Sequence, residues 1–309
     1  MWMRSQASPD NAEFREDGAE VKHIQLRKSC LDSWEGIKAR NSRLEDLQRV
    51  ETALQAAESV LQNLSGSEMH AELKPRGDLV TAADRAVNEL LYEMLPRRDE
   101  GWLSEESADD ARRLKKDRVW IVDPVDGTRE FLAGLPEWCI SIGLVEDREA
   151  VAGGICNPAT GEMFLGSRET GIHFRLTPAM VPSPTKRSRP LVLASRREVE
   201  RGEWDWLRNA PFEFRSLGSI AYKLALVAAG WADATWTFSP KHEWDIAAGV
   251  ALVLASGGKV RKLNGQELAF NQSETLWEGV IAFSAANEGD SAHLFDEWLS
   301  HYARARGVA

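Results

Sequence analysis

An α+β half followed by an α/β half is the fold class this sequence predicts, from three observations: apolar residues at helical spacing near the start, short β-rich runs in the middle, and alternating strand and helix patterns toward the end. Leu44, Leu47, Val50, Leu54, Leu61 and Leu64 keep helical spacing until Ser65-Gly66 stops them, so a first helix is expected there. Thr81 to Leu95 repeats the pattern, with Val87, Leu90, Leu91 and Met94 on one face and Pro96 beyond the end. After an acidic loop come the β-rich runs Trp120 to Val122, Cys139 to Val145, Val151 to Cys156, Glu162 to Leu165 and Ile172 to Leu176. That order reads as helices packed on an antiparallel sheet.

The stretch Thr177 to Pro190 is rich in Pro, Ser and basic residues without periodicity, and it marks the expected boundary between the halves. Beyond it, Leu191 to Ala194 reads as strand, Ser219 to Ala229 as helix, Asp233 to Thr237 as strand, Ile246 to Ser256 as helix and Val280 to Ser284 as strand. The expected organisation is a loosely ordered extension over 1–43, a metal-binding subdomain over 44–180 and a substrate-binding subdomain over 181–309.

Composition narrows the function. With 309 residues, 43% hydrophobic and 28% charged, the chain suits a large globular core. A net charge of −10 argues against a nucleic-acid polymer as partner, though not against a phosphorylated small molecule, because a bound divalent cation can reverse the local field. Three cysteines, Cys30, Cys139 and Cys156, form no CxxC pair, so neither a disulfide framework nor a zinc site is indicated and a reducing cytoplasm is expected. No apolar run approaches the roughly 18 residues that span a bilayer, and the first 43 residues lack the apolar region of a signal peptide.

The chemistry concentrates in Asp123-Pro124-Val125-Asp126-Gly127-Thr128. Pro124 has a fixed φ and no N–H, and Gly127 permits positive φ, so the strand is expected to leave its sheet sharply with both carboxylates aimed at one point. Asp-Gly alone also suits an ordinary hairpin. Two further acidic sites shift the balance: Ser104-Glu105-Glu106-Ser107 upstream and Glu243-Trp244-Asp245-Ile246-Ala247-Ala248-Gly249 downstream. Carboxylates held this close repel unless a cation lies between them, and oxygen donors suit Mg²⁺.

These motifs, with Leu79-Val80-Thr81-Ala82-Ala83-Asp84, resemble in content and order those of the inositol monophosphatase superfamily, the Mg²⁺-dependent, lithium-sensitive phosphatases. The resemblance runs from about Leu44 to the C-terminus and implies a layered αβαβα sandwich with the metal site at the junction of the halves. It also implies two or three Mg²⁺ ions. Glu105, Asp123 and the Val125 carbonyl would hold one ion, and Asp123, Asp126 and Asp245 a second. Thr128 and Glu105 would activate water, Asp84 would orient Thr128 or bind an outer ion, and Lys74 would support it. Other roles stay open for these residues: helix N-cap for Thr128 and Asp245, a helix-face carboxylate for Asp84, a solvated loop acid for Glu106. The Gly127 and Thr128 N–H groups would receive the substrate phosphate.

The substrate is read from the flanks of the motifs. Arg129-Glu130-Phe131 and Ser195-Arg196 resemble the 3′(2′),5′-bisphosphate nucleotidase branch, and such arginines suit a second phosphate. Near the third metal motif, where inositol-specific members would carry an acid, this chain has Phe238-Ser239-Pro240-Lys241-His242, so Phe238 cannot accept a hydrogen bond from a sugar hydroxyl. Gly218 and Ser219 resemble the family's contact to sugar or ribose, with Lys241 and His242 as further contacts or as solvated side chains. The expected reaction is hydrolysis of 3′-phosphoadenosine 5′-phosphate to AMP and phosphate. The alternatives are an inositol-phosphate, histidinol-phosphate or broad sugar-phosphate phosphatase, and a catalytically silent metal-binding regulator. The resemblance also allows a homodimer.

Overall fold

The computed structural model describes residues 20–23, 34–63, 71–73, 79–176 and 188–285. The first half contains strand β1 (Glu20–His23), helix α1 (Trp34–Asn63), strands β2 (Ala71–Leu73) and β3 (Leu79–Thr81), helix α2 (Ala82–Met94), strands β4 (Gly101–Ser104) and β5 (Arg118–Asp126), and the short helix α3 (Thr128–Leu132). It is completed by β6 (Cys139–Glu146), β7 (Glu149–Asn157), β8 (Glu162–Ser167) and β9 (Gly171–Leu176). The second half runs β10 (Leu191–Ser195), α4 (Arg196–Glu200), β11 (Glu213–Leu217), α5 (Ile220–Ala228), β12 (Ala234–Trp236), β13 (Lys241–His242), α6 (Glu243–Ala255), β14 (Lys259–Lys262), β15 (Leu276–Trp277) and β16 (Val280–Phe283).

Two large sheets result, one of seven strands in the order β1-β9-β8-β7-β6-β5-β4 and one of five in the order β11-β10-β12-β16-β14. Helices α1 and α2 cover one face of the larger sheet, burying Leu47, Val50, Leu54, Val87 and Leu91 against Trp120, Ile142 and Leu144. Helices α5 and α6 fill the space between the sheets, and Trp204, Leu207, Phe212 and Phe238 cap the outer face of the smaller one. The layers are therefore helix, sheet, helix, sheet, helix.

Helix α6 is apolar on every side, as a helix buried between two sheets must be. Its Ala247-Ala248-Gly249 run lies so close to β6 and β7 that a Cβ on Gly153 would fall 2.6 Å from the Ala248 carbonyl oxygen, and one on Gly143 2.9 Å from Ala247. On the opposite flank, Leu224 of α5 occupies the space a Cβ on Gly249 would need.

Several expectations change. Helix α1 begins at Trp34, not Leu44, because an apolar stripe marks where a helix packs and polar turns can precede it. Residues 20–23, inside the expected extension, pair antiparallel with β9. The larger sheet is mixed, since β4 runs parallel to β5. Four residues too short for clear alternation concealed β4, and the polar β11 and β14 were missed in the same way. Leu64, the Ser65-Gly66 stop, Lys74 and most of the expected linker lie outside the described residues.

Candidate metal and substrate cleft

The strand β5 does not end at Asp123. It continues through Asp126, with a bulge between them: Asp123 pairs with Ser141 and Asp126 with Cys139, three residues on one strand against two on the other. In a regular strand, residues three apart face opposite sides, and the extra residue puts both aspartates on the same one. Pro124 can occupy the bulge because it has no N–H to leave unpaired. Gly127, at φ +96°, then turns the chain into α3.

Glu105 enters from the neighbouring strand. Parallel pairing sets Ser104 beside Val122, and the Glu105 N–H donates to the Val122 carbonyl at 3.3 Å. Asp245 enters from the first turn of α6, carried in by the close approach of that helix to the glycines of β6 and β7. The N-cap is His242 and Asp245 lies three residues inside, where its Oδ2 accepts the His242 N–H at 2.9 Å. Carboxylate oxygens of Glu105, Asp123 and Asp245 lie within 4.8 Å of one another. Asp126 accepts from the Ser219 hydroxyl at 2.6 Å and the Ala221 N–H at 2.7 Å, which fixes its orientation.

These groups form the floor of a cavity of about 340 Å³ between the two halves. Burial pushes the Asp123 carboxyl well above its ordinary range, and the neighbouring charges of Glu105, Asp126 and Asp245 push it further. Burial likewise raises Asp126 against the hydrogen bonds that favour its charge. A buried carboxylate raised by burial and by the charges of its carboxylate neighbours is electrostatically incomplete without a cation. Its donors are all oxygen, the set that suits Mg²⁺, so the residues fit a divalent metal.

Of the residues expected from the sequence, Glu105, Asp123, Val125, Asp126, Gly127, Thr128, Arg129, Ser195, Arg196, Gly218, Ser219 and Asp245 all line this cavity. Thr128 donates its hydroxyl hydrogen to the Val125 carbonyl at 3.1 Å. Asp84 is not among the described lining residues. It is buried in the first turn of α2, and its Oδ2 accepts the Thr81 N–H at 2.8 Å in a capping box. Its charge nevertheless raises the Asp123 pKa. Glu106 also stays out of the described lining, its N–H donating to the Ser104 hydroxyl at 3.3 Å.

The contacts expected at Gly218 and Arg196 are taken by Glu137. Its Oε2 accepts the Gly218 N–H at 2.8 Å and pairs with Arg196, whereas Ser219 is engaged with Asp126 and with the Tyr222 N–H. Phe238 is no part of the lip. It packs at 5.6 Å from Trp204 in the outer aromatic cluster, because an aromatic gains more from burial there than from a wet rim. Lys241 and His242 both line the cavity.

Sequence reasoning missed Lys223, Arg197 and Leu276, which also line it. Lys223 is buried beneath the Gly218 turn and donates to the Leu217 and Gly218 carbonyls at 3.2 and 3.4 Å. Burial, assisted by the charge of Lys241, pushes its ammonium down to about 8. One lysine in the otherwise apolar run Ile220–Ala228 was the available signal.

A carboxylate-floored cleft between two mixed sheets, completed by a helix held between them, defines a metal-dependent phosphatase of the layered sandwich type. The chain belongs to the inositol monophosphatase family, whose model matches residues 43–296. An inositol-1-monophosphatase of Mesorhizobium japonicum is 33% identical over 75% of this chain and 91% of its own length. A 3′-phosphoadenosine 5′-phosphate phosphatase of Mycobacterium bovis is 34% identical over 62% of this chain and 72% of its own. Among solved structures, the suppressor protein SuhB of Bartonella henselae aligns with a TM-score of 0.65 at 28% identity, covering 83% of this chain and 97% of that one. No helix among the described residues is long and apolar enough to cross a membrane.

Proposed function

We propose that this phosphatase hydrolyses 3′-phosphoadenosine 5′-phosphate to AMP and inorganic phosphate. The observation that carries the reading is the polarity of the cleft: a carboxylate floor beneath Arg129, Arg196, Arg197 and Lys241. Among the described residues the Arg129 side chain makes no hydrogen bond or ion pair. A monophosphate held at the floor leaves Arg129 unused, whereas a second phosphate on the same substrate satisfies it.

Glu105, Asp123, Asp245, Asp126 and the Val125 carbonyl would hold Mg²⁺. Mg²⁺ supplies charge neutralisation on the transferred phosphoryl group and lowers the pKa of water. Ser219 and the Ala221 N–H hold Asp126 in place. Thr128 has its only hydroxyl hydrogen committed to Val125, so its oxygen is left to accept a hydrogen bond from the attacking water, with Glu105, which lines the same cavity, as the base. As the water oxygen bonds to phosphorus, the bond to the ribose 3′-oxygen breaks and that oxygen takes up a proton. Arg129 and Lys241 hold the 5′-phosphate and so orient the ester.

The long match to an inositol-1-monophosphatase favours an inositol phosphate as the second reading. Phosphate release with Mg²⁺ from 3′-phosphoadenosine 5′-phosphate, inositol 1-phosphate and histidinol phosphate, compared by kcat/KM, separates the readings. A preference for the nucleotide supports the proposal, and a preference for either other ester overturns it.

A further inference from the structure

One wall of the cleft carries, beside the Lys241 that would hold a phosphate, apolar and aromatic groups that phosphate binding does not use. Strands β13 and β15 form a separate two-stranded ribbon in which Lys241 pairs with Trp277 and His242 with Leu276. Trp277 is buried at 4.9 Å from Phe270 and carries Lys262 over its ring, so it anchors the ribbon. Its strand neighbour Leu276 points the other way and is 44% exposed. The His242 ring stacks on Trp244 at 4.2 Å with an interplanar angle of 11°, and its Nδ1 lies 3.0 Å from the Thr275 hydroxyl. Leu276, His242 and Trp244 all line the cavity that holds the carboxylates, and the His242 N–H bond to Asp245 fixes the ribbon's distance from them.

An exposed leucine is unremarkable alone. Beside a stacked aromatic pair at the mouth of a catalytic cleft, it offers dispersion contact and few hydrogen bonds. A ring bearing a hydroxyl on each carbon would lose solvent bonds against that surface and recover little. A flat heteroaromatic ring buries its apolar face there and keeps its polar edge free.

We propose that the β13–β15 ribbon is the base-binding subsite of the cleft, taking a flat heteroaromatic ring of the substrate against Leu276 and the His242–Trp244 stack. This rests on the nucleotide reading above. The test is calorimetric binding of AMP and of ribose 5-phosphate, which share a phosphate and differ by the base, to the Mg²⁺-loaded full chain. AMP is expected to bind about tenfold more tightly. In Leu276→Asp that ratio falls to about twofold or less, and Leu276→Met retains it. An unchanged ratio in Leu276→Asp overturns the subsite, as does equal binding of the two ligands, or no binding of AMP, by the wild type. The readout is independent of turnover. Nucleotide hydrolysis with an unchanged ratio leaves the proposed activity standing and removes the ribbon's role, while base-dependent binding without nucleotide hydrolysis does the reverse.

Discussion

Asp123 is the residue on which most of the site's electrostatics converge. It is 1% exposed, feels the charge of four other carboxylates and accepts the Val125 N–H at 3.0 Å. Asp123→Asn is expected to lower turnover on the order of 10³-fold while raising the melting temperature of the metal-free protein, since it removes a buried charge. Mg²⁺ should then raise the melting temperature of the wild type and not of the variant, and an equal Mg²⁺ shift in both would remove Asp123 from the metal site. Lys223 supplies a second prediction at this scale. Its folded pKa of about 8 lies below the ordinary 10.5, so between those values the unfolded chain holds more protons and stability rises with pH. Urea midpoints at pH 7, 8 and 10 should show this gain, on the order of 2 kcal/mol, in the wild type and not in Lys223→Met. The carboxylates were legible in the sequence because each sits in a short local motif. The capture of Gly218 and Arg196 by Glu137 was not, since that bond joins residues far apart in the chain and outside every motif.

At the scale of elements, the seam between α6 and the sheet decides whether Asp245 reaches its partners. Gly153→Ala would place a methyl group 2.6 Å from the Ala248 carbonyl oxygen, backbone against backbone, where neither side can rotate away. The expected cost is about 1–3 kcal/mol, read as a lower urea midpoint, with weaker Mg²⁺ binding because the helix carries Asp245 outward. An unchanged midpoint would mean that the seam is slack. The run Ala247-Ala248-Gly249 is the sequence signal of this approach, since small side chains let a helix lie close to a sheet. The bulge in β5 has no such signal, since Asp-Pro and Asp-Gly read equally well as the end of a strand, and only the pairing to β6 shows the extra residue. The ribbon of β13 and β15 was equally hidden, because two-residue strands carry no periodicity.

Across the whole molecule, an ion network fastens α1 to the larger sheet. Arg43, Asp46, Arg49, Glu100, Arg118 and Glu146 interlock, and Glu100 also accepts the Trp120 indole N–H at 2.9 Å. Burial alone would raise the Glu100 pKa, but the bonds from Arg49, Trp120 and the Arg97 N–H outweigh it and hold it at about 2. A depressed carboxylate stabilises above its ordinary pKa of 4.5, and that contribution is lost as pH falls toward 2. The gap in melting temperature between the wild type and Glu100→Gln should therefore narrow across that window, and a constant gap would assign the effect to packing.

The position of α6, pressed by both sheets, has a consequence for how the protein is made. The larger sheet is complete in sequence by Leu176, yet the helix that covers its inner face ends at Ala255. During translation that apolar face stands bare for on the order of seconds. The nascent chain thus passes through a stage in which a finished sheet invites association with its neighbours on the polysome, and no complete carboxylate cluster exists until the helix arrives.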